Sequence, residues 1–131
     1  MVLKAQELRI GNLLENFLGE VFECNIETLN SLINGGNQFP PPKPIPLTDE
    51  WLLRFGFEVN DDLGDQIYYE IPNQKIGYGI CFDHDDITFY KFYGNGGENV
   101  HTLIYDEEHL QSVHQLQNLY FSLTNNELKL K

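Results

Sequence analysis

Asp83-His84-Asp85-Asp86, just downstream of Cys81, is the densest run of metal-ligating or proton-moving side chains in this 131-residue chain. Carboxylates and imidazole suit Zn²⁺, Mn²⁺ or Fe²⁺, and a loop at a strand end can seat such an ion. Asp83, His84 and Asp85 are thus the candidate ligands of a metal-assisted hydrolase. Two features weigh against them. Neighbouring residues on a strand point to opposite faces, so further ligands would have to come from elsewhere. The run also lacks the glycine at position six and the glutamate at position twelve of a calcium loop. The simpler reading is a hairpin turn whose aspartates favour turn geometry, and on it no metal, cofactor or catalytic residue is assigned.

The remaining chemistry is sparser. His101, His109 and His114 form no HExxH or HxH motif, and His109 and His114, five apart, fall on opposite sides of a helix. Cys81 paired with His84 or His101 would make a nucleophile only if the thiolate were stabilised, whereas the carboxylates nearby raise a thiol pKa. Gly94-Asn95-Gly96-Gly97 lacks the Lys-Ser/Thr that completes a phosphate loop. Gly77-Tyr78-Gly79 lies inside a strand pattern, where glycine signals a close neighbour, here a large aromatic crossing above it.

The elements that must position these groups read as follows. Residues 8–15 and 20–24 form an N-terminal β-hairpin with its turn near Asn16 to Gly19. Ile26, Leu29, Leu32 and Ile33 recur at helical spacing, with Asn25 as cap and Asn34-Gly35-Gly36 as stop. Five of the six prolines lie between residues 37 and 46 and make a stiff connector. Thr48 caps a second short helix over 49–55. Leu47 and Leu52 sit at its staple positions, Asp49 and Glu50 in its first turn and Arg54 in its last, and Gly56 closes it. Alternation then predicts strands at 67–71 and 76–82, a β-branched and aromatic run predicts another at 87–93, and 100–105 is a fourth candidate, separated by turns that include 61–65, 72–74, 83–86 and 94–97. Connections this short permit hairpins and not parallel crossovers. Val113, Leu116, Leu119, Tyr120 and Leu123 make the apolar stripe of a C-terminal helix, with Asp106, Glu107 and Glu108 suited to its first turn. Thr124-Asn125-Asn126-Glu127 marks its break. The expected fold is α+β: an antiparallel β-meander covered by a C-terminal helix, with an N-terminal β-hairpin and two short helices. It is read as a single domain over 1–131, comprising 1–36, the connector 37–47 and 48–131.

Composition narrows the function. Eight basic against twenty acidic side chains give a net charge of −12. Such a surface repels phosphate backbones and anionic headgroups, which disfavours nucleic-acid and membrane binding. The N-terminal residues lack the apolar core of a signal peptide and no stretch reaches transmembrane length, so the expected location is cytoplasmic. Cys24 and Cys81 match no CxxC pattern and read as core thiols. On the last helix His114, Gln117 and Phe121 form a second stripe beside the core one. They are the candidate contacts should this face meet a partner, but packing of Phe121 under the N-terminal hairpin is the favoured reading, because one exposed ring is common in monomers.

Three segments together resemble a known family: Leu8-Arg9-Ile10-Gly11-Asn12, the run from Lys43 through Trp51 to Phe57, and Val113-His114-Gln115-Leu116-Gln117-Asn118-Leu119-Tyr120-Phe121-Ser122-Leu123-Thr124. The chain is similar to small uncharacterised proteins of Bacteroides-type gut bacteria and their phages or integrated elements. The resemblance implies a bacterial cytoplasmic setting and a mobile-element origin, and carries over no catalytic residues. The function expected from charge, aromatics and the lack of a coherent catalytic set is a non-enzymatic, acidic protein–protein interaction module. The alternatives are the hydrolase of Asp83–Asp86 and an acidic DNA mimic that inhibits a nucleic-acid enzyme.

Overall fold

The computed structural model describes residues 3, 5–33, 42–64, 66–70, 76–83, 86–95, 98–105 and 110–130. The architecture is α+β, with two antiparallel sheets and a C-terminal helix packed on a sheet strand. The chain divides into two compact units, one formed by 1–47 with 112–128, the other by 48–111 with 129–131.

In the first unit a short 3-10 helix, Ala5–Glu7, precedes the hairpin of β1, Leu13–Glu15, and β2, Val21–Glu23. The hairpin strands are shorter than the alternation suggested, because Leu8 to Asn12 coils to serve other contacts. The turn between them follows from two residues. Asn16 Oδ1 accepts from the amides of Leu18 and Glu20, each at 2.9 Å, and Gly19 takes the left-handed conformation at φ 80°. This is the three-residue hairpin loop in which glycine alone is unstrained at the last position. Helix α1, Ile26–Ile33, is capped by Asn25, whose Oδ1 accepts from Thr28 N at 2.9 Å. Leu3, Leu8, Leu14 and Cys24 form a buried cluster, against which Phe22, Leu29 and Leu32 pack. Past the prolines, Lys43 pairs antiparallel with Glu15, and Pro46 with Ser112. Helix α3, Val113–Thr124, packs on β1. It begins after 106–109, which lie outside the described residues. Its N-cap is Ser112, and Asn125 at φ 59° ends it where the Thr-Asn-Asn-Glu signal falls.

In the second unit α2, Asp49–Arg54, is bounded as its capping residues dictate. Thr48 Oγ1 accepts from Trp51 N, and Gly56 at φ 94° lets Phe57 N and Gly56 N donate to the carbonyls of Leu52 and Leu53, each at 3.0 Å. Those two bonds are the Schellman closure. Arg54 lies over the Trp51 ring at 4.2 Å. A five-stranded meander follows in strict order: β3, Glu58–Asp62; β4, Gln66–Glu70; β5, Ile76–Asp83; β6, Asp86–Asn95; and β7, Glu98–Tyr105. Strand β3 corrects the expectation of a turn beginning at Asp61. Its Glu-Val-Asn-Asp-Asp sequence has weak strand propensity and becomes a strand by pairing with β4, with a bulge between Val59 and Asp61. The chain reverses after Asp62, where Leu63 N donates to Gln66 O at 2.8 Å.

Register sorts the central strands into two unlike faces. On one, Tyr69, Ile80 and Phe89 occupy directly paired positions and are all buried, with Phe82 edge-on to Tyr69 at 5.5 Å. Burial raises the Tyr69 phenol pKa, and the charges of Asp49 and Asp62 raise it further. The other face is polar.

Candidate functional site

That polar face is built from two adjacent cross-strand rows. Glu70, Gly79 and Tyr90 form one, and Tyr68, Cys81 and Thr88 the next. Gly79 is where the sequence called for an overlying aromatic, and Tyr90 supplies it. A Cβ added at Gly79 would sit 2.8 Å from Tyr90 Cε2 and closer still to Cζ and the hydroxyl. With the ring laid flat across the glycine, its hydroxyl reaches the Glu70 carboxylate and donates at 2.6 Å, while the Tyr68 ring meets it edge-on at 5.6 Å. Tyr90 and Cys81 are buried, and Glu70 is 9% exposed.

The chemistry of this cluster is that of protonated groups. Burial drives the Tyr90 phenol pKa far above its ordinary value, and the bond to Glu70, which favours the proton staying on the phenol, adds to the shift. Burial also raises the Cys81 thiol, as does Asp83, while hydrogen bonds from Tyr68 and Thr88 oppose the rise. A phenol and a thiol held in their neutral forms are poor nucleophiles. Cys81 and Tyr90 form a buried cluster with Tyr68 packed against it, and among the described residues the face shows no activated pair.

The candidate metal ligands do not converge among the described residues. Asp83 Oδ2 accepts from Gln66 Nε2 at 3.1 Å, one strand over, and His84 and Asp85 lie outside the described residues. No group of three His, Cys, Asp or Glu side chains among the described residues could hold a metal ion.

The helix stripe proposed for partner contact is mostly occupied from within. His114 is fully buried and Gln117 nearly so. Gln117 Oε1 accepts from Leu13 N at 2.8 Å, and Asn118 beside it is a hub: its Oδ1 accepts from Arg9 Nε at 2.7 Å and Asn12 Nδ2 at 2.8 Å, and its Nδ2 donates to the Glu7 carbonyl at 2.8 Å. Arg9 also pairs with Glu127 and lies over the Phe121 ring at 4.3 Å. These contacts tie residues 9–12 to residues 117–121, each half satisfying the other's polar atoms. They remove His114 and Gln117 from any exposed contact surface, since a polar side chain turned inward must spend its bonds there. His114 Nδ1 lies 3.1 Å from Ser112 Oγ, and its Nε2 has no partner among the described residues. Burial lowers the imidazole pKa, partly offset by Glu7.

Sequence reasoning missed the hairpin tip. Phe17 and Leu18 occupy the turn, exposed at 59% and 67%, and Val21 beside them is also exposed. The signal was available, since two large apolar residues fill positions where turns ordinarily carry Asn, Asp, Gly or Ser. Ile10, Ile26 and Ile33 are exposed in the same stretch, so 10–33 holds six of the eleven exposed large hydrophobics among the described residues.

The chain matches no family model, no curated protein and no solved structure.

Proposed function

We propose that this protein is an acidic, non-enzymatic interaction module that docks a protein partner through its N-terminal hairpin. The observation that carries this reading is the pair Phe17 and Leu18, held out at the tip of a turn that Asn16 and Gly19 make rigid. An apolar pair fixed in place loses little conformational entropy on burial, which is what an interface anchor requires. Its surroundings specify the partner's charge. Residues 10–42 contain Glu15, Glu20, Glu23 and Glu27 and no lysine, arginine or histidine. The partner surface therefore offers an apolar pocket rimmed by basic groups, approached by electrostatic attraction that weakens with salt.

Free Cys24 and Cys81 fit a reducing cytoplasm. The resemblance of the 43–57 and 113–124 segments adds a bacterial, phage or mobile-element setting to the proposal. No helix among the described residues is long and apolar enough to cross a membrane.

The test is site-specific photocrosslinking in cells that express the protein. A crosslinker replacing Leu18 is expected to trap a discrete product that is lost at high salt and in a Glu15→Gln, Glu20→Gln, Glu23→Gln background. The same crosslinker replacing exposed Leu63, on the other unit, is the control. No product from position 18, or the same product from both positions, overturns the reading.

A further inference from the structure

We infer that the outer edge of β2 receives an extended, basic segment of the partner as an added β-strand. The inference rests on the hairpin docking just proposed and names its mode. Hydrogen-bond parity fixes the geometry. Cys24 N donates to Asn12 O at 2.7 Å and Asn16 N to Glu20 O at 2.9 Å, so the inward-pairing positions of the hairpin are even-numbered. The odd positions of β1 turn the other way, and both are occupied: Leu13 N by Gln117 Oε1, and Glu15 by a mutual pair of backbone bonds with Lys43 at 2.8 and 3.0 Å. By the same alternation the N–H and C=O groups of Val21 and Glu23 point out of β2 on its far side. None of these four groups has a partner among the described residues, and both side chains are exposed. Helix α1 turns Leu29 and Leu32, like Phe22, toward the buried cluster, and no described residue is bonded along this edge.

The charge identifies the occupant. A second copy of this chain would bring its own Glu20, Glu23 and Glu27 against the same three residues, and like charges across a strand pair are unfavourable. Val21 and Glu23 share one face of β2, and Phe22 points to the other. A strand bearing lysine or arginine at alternate positions therefore sets them on the Glu23 face, with their aliphatic stems along Val21, and its intervening apolar side chains lie on the Phe22 face. Backbone bonds supply affinity and alternate side chains supply selectivity, as in other strand-addition complexes.

The experiment uses the full chain and a panel of nine-residue peptides that alternate Lys or Arg with Val, Ile, Leu or Phe. A panel with Glu in place of the basic residue is the control. Amide hydrogen exchange is followed by NMR. Basic peptides are expected to slow exchange at Val21 and Glu23 by about tenfold or more at saturation, and acidic peptides to leave it unchanged. Methylating every second peptide nitrogen gives two complementary versions. Strand addition requires that one lose binding by about tenfold or more while the other retains it, because only alternate amides face β2. Val21→Pro reads the same bond from the protein side, since proline at an outward edge position breaks no hairpin bond. If basic peptides bind and depend on Phe17 and Leu18 while Val21 and Glu23 exchange as before, docking stands and strand addition falls. If no peptide of the panel binds, strand addition falls, and the position-18 crosslink decides docking independently.

Discussion

Gly79→Ala should destabilise this protein severely, although alanine is ordinarily the better residue outside a special backbone conformation. The added methyl would enter the space of the Tyr90 ring, 2.8 Å from Cε2 and nearer to Cζ. The ring has no easy retreat, because it is buried, hydrogen-bonded to Glu70 and edge-packed by Tyr68. Moving it costs about 1–3 kcal/mol of overpacking, and separating its hydroxyl from the Glu70 carboxylate about 1–3 kcal/mol more. The expected loss is therefore about 4 kcal/mol, reduced by about 0.5–1 kcal/mol because alanine surrenders less backbone entropy than glycine. Tyr90→Val removes the obstructing ring. In that background Gly79→Ala should be neutral or slightly stabilising, so a double-mutant cycle should return a coupling of about 3 kcal/mol. Urea unfolding followed by Trp51 fluorescence reads this directly, because the chain's single tryptophan lies in the same unit as Gly79. A loss below about 1 kcal/mol with Tyr90 present, or equal losses in both backgrounds, would refute the seating of Tyr90 over Gly79.

Three further outcomes follow from the same geometry. Asn118→Ala deletes the shared partner of Arg9, Asn12 and the Glu7 carbonyl and should cost about 2–3 kcal/mol, seen as faster hydrogen exchange at Leu13 and Glu15. Burial lowers the His114 pKa below the ordinary 6.5, so below that pH the unfolded chain binds a proton that the native state refuses. Stability should then fall as pH drops through 6.5 towards the depressed native value, and His114→Gln should flatten that part of the pH profile of urea midpoints. Gly56→Ala places a Cβ at φ 94° and should cost about 1 kcal/mol, measured as a lower urea midpoint with an unchanged slope.

The local elements were legible because their causes are local. Thr48 and Gly56 bracket α2, Asn25 caps α1 and Asn125 ends α3, each through bonds to residues within a few positions. Two strands of the meander were legible by two-residue alternation and a third by its β-branched and aromatic run, and short turns left antiparallel neighbours as their natural pairing. Even the aromatic above Gly79 could be anticipated, since a glycine amid bulky strand residues leaves a vacancy on the sheet face. Strand β3 gave no such signal, because its polar sequence pairs only when β4 is already there to meet it.

Sequence by itself determined the charge and, apart from β3 and the short 3-10 helix, the elements and their order. Tertiary structure alone decided which polar residues face inward. A glutamine on a helix reads alike whether it meets solvent, a partner or its own chain, and Gln117 was settled only when the Leu13 amide, over a hundred positions away, came within 2.8 Å. The same long-range closure gave Arg9 its place over Phe121 and set α3 on β1. With β1 occupied on its outer side by Lys43 and Gln117, the edge without a partner among the described residues is that of β2, and the exposed apolar pair lies at the hairpin tip. Periodicity records which side of an element is apolar, whereas the partner of each backbone and amide group depends on contacts that no local window contains.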